Sequence, residues 1–280
     1  MKKINLLIFA LIVLISALAL TMLLQQAPDP EPVVKESPQK SVEKPAKQAI
    51  VHYPVPAATA EPAEEIPEEK PQQVSVPDPI LPKQLPSVEQ SDKSIEEVFT
   101  SQKLDEPLFK LLLLENFIQR VVVSIDNLPE KRLPRAHLPL TSPKGRFIVS
   151  GTAEAPQTSS RNQDRYNVHV QLLEALDPEF VLKTYVYFYP LFQKAYEQLG
   201  YRNAYFNDRL VYVIDHLLET PETAEPMLLS QPAILYTYAD PLLEKLSSGQ
   251  KTLLRIGPKH RQKMKAVLNI YRDKLINLRP

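Results

Sequence analysis

The stretch Asp177–Gly200, DPEFVLKTYVYFYPLFQKAYEQLG, decides the fold class. Asp177 before Pro178 reads as an N-cap followed by proline at the first helical position. The carboxylate can accept from free N–H groups there, and the missing proline N–H costs nothing. Gly200 reads as the C-terminal stop. Between them Phe188, Phe192 and Tyr196 recur every four residues on one face, with Tyr185 and Tyr189 on another. Pro190 is the one discordant residue. It removes a backbone bond and predicts a kink or division near Val186–Pro190.

Helical signals continue on both sides. Ser94 with Glu97 reads as a capping box, and Pro107–Ile125 as one buried helix, apolar nearly all round. Gln163–Leu176, Asn207–Glu219, a short piece from Asp240-Pro241, Ser248–Ile256 and Pro258–Leu278 follow. Short strands are predicted only near 146–149 and 227–238, with 128–160 otherwise irregular. Residues 91–280 therefore read as a compact, multi-helix, mainly α domain.

The N-terminal part differs in kind. Lys2 and Lys3 precede Ile4–Leu24, 21 residues without a charge, which as a helix spans about 31 Å against a hydrocarbon core of ~30 Å. Ala17-Leu18-Ala19 fits a cleavage pattern, yet the apolar run continues through Leu24, so residues 1–24 read as an uncleaved single-span membrane anchor. Basic residues before the span and acidic ones after it place the N-terminus in the cytoplasm. The rest of the chain is then expected in the periplasm, as a single-pass protein of a bacterial inner membrane.

Residues 25–90 hold 14 of the 28 Pro, no Gly, and 11 acids against six bases, with Tyr53 the only Phe, Tyr or Trp. So little apolar surface does not offset the entropy of ordering, and a disordered Pro-rich linker leaning to polyproline II is expected.

Composition narrows the function classes. No Cys excludes disulfides, Cys-ligated metals and thiol nucleophiles, and five Gly leave little for phosphate loops. No hydrolase elbow, Walker loop, dinucleotide fingerprint or metalloprotease motif occurs. No catalytic residue, cofactor or metal is assigned.

Four constellations remain, each with a functional and a structural reading. Tyr189, Tyr196 and Tyr205 belong to an aromatic cluster that can line a groove for a sugar or peptide, or pack inward. Asp208, Arg209, Asp215 and His216 put polar groups on the next helix, as part of that groove or as salt bridges. Lys131, Arg132, Arg135, Lys144 and Arg146 form a basic, Pro-rich loop that can clamp an anion or lie solvated. Gly249–Pro280 carries nine bases and one acid, suiting an anionic surface or pairing with the acids of the rest of the domain.

Several strings carry a resemblance. Ile125-Asp126-Asn127-Leu128-Pro129, Tyr189-Pro190-Leu191-Phe192-Gln193-Lys194-Ala195-Tyr196, Tyr205-Phe206-Asn207-Asp208-Arg209-Leu210, Val213-Ile214-Asp215-His216-Leu217-Leu218, and Ala239-Asp240-Pro241 followed by Ser248-Gly249-Gln250-Lys251 appear in matching order. They resemble the bacterial domain-of-unknown-function family numbered 3014, with a family-like core at about 105–278. The resemblance implies an N-terminal hydrophobic segment and a Pro-rich stretch but no activity, substrate or catalytic residue. The overall plan is similar to TonB-type envelope proteins, although this span lacks their His.

The expectation is a membrane-tethered cell-envelope protein. Residues 4–24 meet the inner membrane, and the helical domain binds an envelope protein or cell-wall polymer. Nucleic acid is not expected as a partner. The alternative is an envelope hydrolase or lyase using paired carboxylates among Glu174, Glu197 and Asp208.

Overall fold

The computed structural model describes residues 51–56 and 79–278. The expected anchor, 1–24, and the remainder of the expected linker lie outside these residues. Nine helices are described: α1 (Ser91–Ser101), α2 (Glu106–Phe109), α3 (Phe117–Asn127), α4 (Asn167–Ala175), α5 (Pro178–Gln198), α6 (Phe206–Leu218), α7 (Pro241–Glu244), α8 (Ser248–Arg255) and α9 (Pro258–Ile276). Two antiparallel hairpins complete them: β1 (Val149–Gly151) with β2 (Pro156–Thr158), and β3 (Leu229–Ser230) with β4 (Thr237–Tyr238). The domain is mainly helical with a few short strands, as its periodicity predicts.

Helix α3 lies at the centre and packs against α1, α5 and α6, while α9 covers α6. Phe117, Ile118, Val121, Val122 and Ile125 are buried along α3. On α5 the spaced aromatics Phe188, Phe192 and Tyr196 are buried too, each contributing about 1.5–3 kcal/mol of transfer free energy. A smaller cluster of Met227, Leu229, Tyr238 and Leu254 sits under the hairpins.

The helix starts predicted at Asp177 and Asp240 are capped. Asp177 accepts from the N–H groups of Glu179 and Phe180, and Asp240 from that of Leu242. Ser247 and Gln250 form a reciprocal capping box on α8. Gly200 takes φ 103°, the left-handed geometry expected of a helix stop.

Three local expectations are corrected. The predicted helix over 107–125 is two pieces. Between α2 and α3 the chain leaves the helix, and Leu112 bridges Leu140, with the Leu113 N–H donating to the Pro139 carbonyl and the Thr141 N–H to that of Leu111. Asn116 enters α3 at φ 53°, and the Asp92 carboxylate accepts from the Asn116 and Phe117 N–H groups, so the cap of α3 comes from α1. The box predicted at Ser94 does not form, because a 3₁₀ turn at Val88–Gln90 feeds α1 three residues earlier. Helix α5 is not divided at Pro190, which lies on its solvent-exposed side.

Two pieces of the expected spacer also lie against the domain. Val88 is buried, Leu81 packs on the core, and the Tyr187 hydroxyl donates to the Pro82 carbonyl at 2.5 Å. Residues 51–56 form the second contact.

Candidate functional site

The site is built at the first turn of α6. The Gln193 carboxamide on α5 fixes the approach: its oxygen accepts from the Phe206 N–H at 2.8 Å and its nitrogen donates to the Ala204 carbonyl at 2.9 Å. This presents Tyr205, 49% exposed, above Asn207 and Asp208. Asn207 is wholly buried, and its oxygen accepts from the Tyr185 hydroxyl at 3.0 Å, which orients the amide nitrogen outward.

Residues Val51–Pro56 cross this turn. The Asp208 carboxylate accepts the Tyr53 N–H at 2.7 Å and meets His52 Nδ1 at 3.0 Å. Asn207 donates to the Tyr53 carbonyl at 2.9 Å. The N–H and C=O of a single residue are thus bracketed by adjacent side chains. The His52 ring lies over Tyr205 with centroids 3.9 Å apart, and Tyr53 and Val55 pack on the main core. Pro54 biases Tyr53 toward extended geometry, which shows both backbone groups to the bracket.

The remaining groove candidates divide among other surroundings. Tyr189 is half-buried, donates to Gln193 at 3.3 Å, and has its phenol pushed up to about 12, chiefly by burial. Tyr196 is buried and stacked on Tyr201 at 4.6 Å; burial pushes its phenol well up too. Arg209 turns inward: its guanidinium pairs with the Asp126 carboxylate at 3.0 Å and donates to the Asp126 carbonyl at 2.6 Å. Tyr201 adds a hydroxyl bond to the same carboxylate at 3.2 Å. Asp215 pairs with Arg272 on α9. His216 sits beside the start of α8, with Nε2 2.9 Å from the Ser247 hydroxyl, and burial holds it below its ordinary range. Of the seven candidates, Tyr205 and Asp208 carry the peptide contact, with Tyr189 behind them. His52, Tyr53 and Asn207 were missed, the first two because composition marked their stretch as spacer.

Two parts of the basic loop are tied to the domain. The Lys131 ammonium donates to the Lys245 carbonyl beyond α7, while Arg165 holds the Lys144 and Gly145 carbonyls at the other end. Arg132, Lys144 and Arg146 are exposed, and Arg135 lies in a 3₁₀ turn, Arg135–His137. The C-terminal bases mostly meet acids of the domain: Lys251 with Glu244, Arg261 and Lys265 with Glu222, Lys263 with Glu174, Lys274 with Glu179. Arg255 instead borders a cavity of about 280 Å³ near Glu225 and Phe147, and burial raises the Glu225 carboxyl. Among the described residues no group of three His, Asp or Glu side chains can hold a metal ion, and no helix is long and apolar enough to cross a membrane.

Residues 117–272 match the family described as protein of unknown function (DUF3014). The chain belongs to that family. No curated protein and no solved structure matches it. The DUF3014 match runs from the start of α3 into α9. It contains the buried Asp126–Arg209 pair and the Asn207–Asp208 bracket, while Val51–Pro56 lies outside it.

Proposed function

We propose that this DUF3014 protein is a membrane-tethered component of the cell envelope whose periplasmic domain binds an extended peptide of another envelope protein. The anchor and orientation rest on the uncharged run Ile4–Leu24 and on Lys2 and Lys3 before it. The binding mode rests on one observation: Asp208 and Asn207 bracket the backbone N–H and C=O of Tyr53, in a segment that continues with Pro54 and Pro56. Such a bracket reads an amide N–H and C=O, the pair that any extended peptide repeats, and Tyr205 adds a flat surface for a ring. A peptide partner suits this better than a cell-wall glycan does.

The paired-carboxylate alternative gains no comparable support. Glu174 pairs with Lys263, Glu197 accepts from Gln193, and Asp208 holds the peptide.

A photo-crosslinker at position 205 in intact cells tests the proposal. The expected result is a discrete adduct with an envelope protein that disappears on Asp208→Ala. A crosslinker at exposed Lys93 should not give that adduct. No Asp208-dependent adduct would overturn the proposal, and a reporter after Pro280 active only in the cytoplasm would overturn the orientation.

A further inference from the structure

We infer that Val51–Pro56 is an internal ligand of the Asp208–Asn207 bracket, and that its exchange for a partner's peptide lengthens the tether between membrane and domain. The inference rests on the peptide-binding reading above and adds its regulation.

The contact has the features of a ligand rather than of a core element. Its polar bonds converge on one residue's backbone, Tyr53, plus one ring nitrogen of His52. Its outer layer is open: the His52 side chain is 47% exposed, Val51 54% and Tyr205 49%. The segment comes from a stretch whose composition otherwise reads as spacer, yet it contains that stretch's lone aromatic residue, seated at the bracket. Pro54 and Pro56 restrict the backbone of the free segment, which lowers the entropy lost on binding.

The groups beneath it favour exchange over vacancy. With the segment docked, Asp208 is 5% exposed and Asn207 is fully buried. Release of the segment exchanges these bonds for bonds to water, whereas another extended peptide restores them directly. The occupant named by the geometry is therefore an extended segment with an aromatic or imidazole ring one residue before the bracketed position and a proline after it, as in His52-Tyr53-Pro54.

Docking also divides the tether. With Val51 held, 26 residues (25–50) separate the expected span from the domain; with it free, 54 residues (25–78) do. At ~3.5 Å per residue, the maximum reach rises from about 90 to about 190 Å. The intervening residues 57–78 join the segment covalently to the domain, and linkers of such length supply effective concentrations of order mM. An outside peptide must compete with that, so partner capture and release of reach become one event.

The test uses the full chain in detergent and a labelled peptide of residues 48–58, acetylated and amidated. The strap variant His52→Ala/Tyr53→Pro removes the imidazole, the bracketed N–H and the Tyr53 ring packed on the core, and leaves residues 79–278 unchanged in sequence. The peptide should bind this variant at least tenfold more tightly than wild type, and Asp208→Ala in the variant should abolish the gain. Equal binding to wild type and variant would overturn the internal-ligand inference and leave the peptide site standing. Binding to neither would overturn the peptide-binding reading itself. Binding that survives Asp208→Ala would place any site elsewhere and overturn both.

The absence of Cys permits a second readout. Labels at Val51→Cys and Arg202→Cys should give one distance in the otherwise native chain and a longer one on adding excess peptide. An unchanged distance at saturating peptide would overturn the exchange.

Discussion

Asp208 and Arg209 are neighbours on α6, yet they serve opposite regions of the molecule. Successive helical residues point about 100° apart, and here that angle spans the boundary between core and surface. Arg209 is 3% exposed and locked to Asp126, joining α6 to the end of α3. Asp208, 5% exposed, is equally shielded, but its cover is a peptide segment from outside the domain's continuous chain. Similar burial thus has two meanings. One ion pair is part of the fold's interior, and the other carboxylate is capped by something removable.

Breaking each region tests this contrast. Arg209→Ala leaves the Asp126 carboxylate buried without its counter-charge and should cost about 3–5 kcal/mol in denaturant unfolding. Replacing Asp126 with an apolar residue as well should recover part of that loss, because the orphan charge is gone. Gly249→Ala tests how tightly α8 seats on the end of α3: the new Cβ would lie 2.6 Å from Leu217 Cδ2 and 3.1 Å from the Leu128 carbonyl oxygen. Overpacking of this kind should lower stability by about 1–3 kcal/mol.

Acid should weaken the interior. His169, His216 and His260 are each held below the ordinary value of 6.5, first of all by burial. The unfolded chain therefore takes up these protons at a higher pH than the folded one. Their effect on stability is absent well above pH 6.5, and stability falls as pH drops below about 6.5 toward the folded values. Urea midpoints at pH 7.5 and 5.5 measure the slope, and His169→Gln should flatten it.

The surface region should respond differently. Asp208→Ala should change global stability by only about 1 kcal/mol, while amide exchange at Tyr53 rises sharply and that of α3 stays put. A global loss as large as that of Arg209→Ala would erase the distinction between the two sites. The smallest effect is expected for Lys263→Ala. Its partner Glu174 is about half exposed, and such a pair contributes about 0–1 kcal/mol.

The legible parts share a physical reason: they are local. Asp177-Pro178, Asp240-Pro241 and Gly200 signal helix ends because their effects act within one turn. The stripe Phe188–Phe192–Tyr196 signals burial because a helix imposes its own period. What was misread depends on distant chain. The 107–125 run has a helical pattern, but the Leu111–Leu113 backbone finds partners in Pro139–Thr141, and Asp92 supplies a cap from another helix. The candidate site shows the same division. Tyr205 and Asp208 were marked by residue type, whereas grouping Arg209 and His216 with them assumed that one helix has one polar environment. Asn207, Tyr53 and His52 are not marked as site residues by the sequence because an amide, a backbone N–H and a residue in a Pro-rich stretch carry no periodic signal.

By itself, then, the amino-acid sequence determined a mainly helical domain, most of its helix ends, its family resemblance and the sharp change in composition before it. These follow from short-range propensity, periodicity and local order. Only the tertiary structure decided which polar residues face inward, that Asp126 receives Arg209, and that residues 51–56 lie on α6. Those pairings join positions 83 to 156 residues apart, and no local pattern encodes them. Shape and burial select them only when the helices are packed.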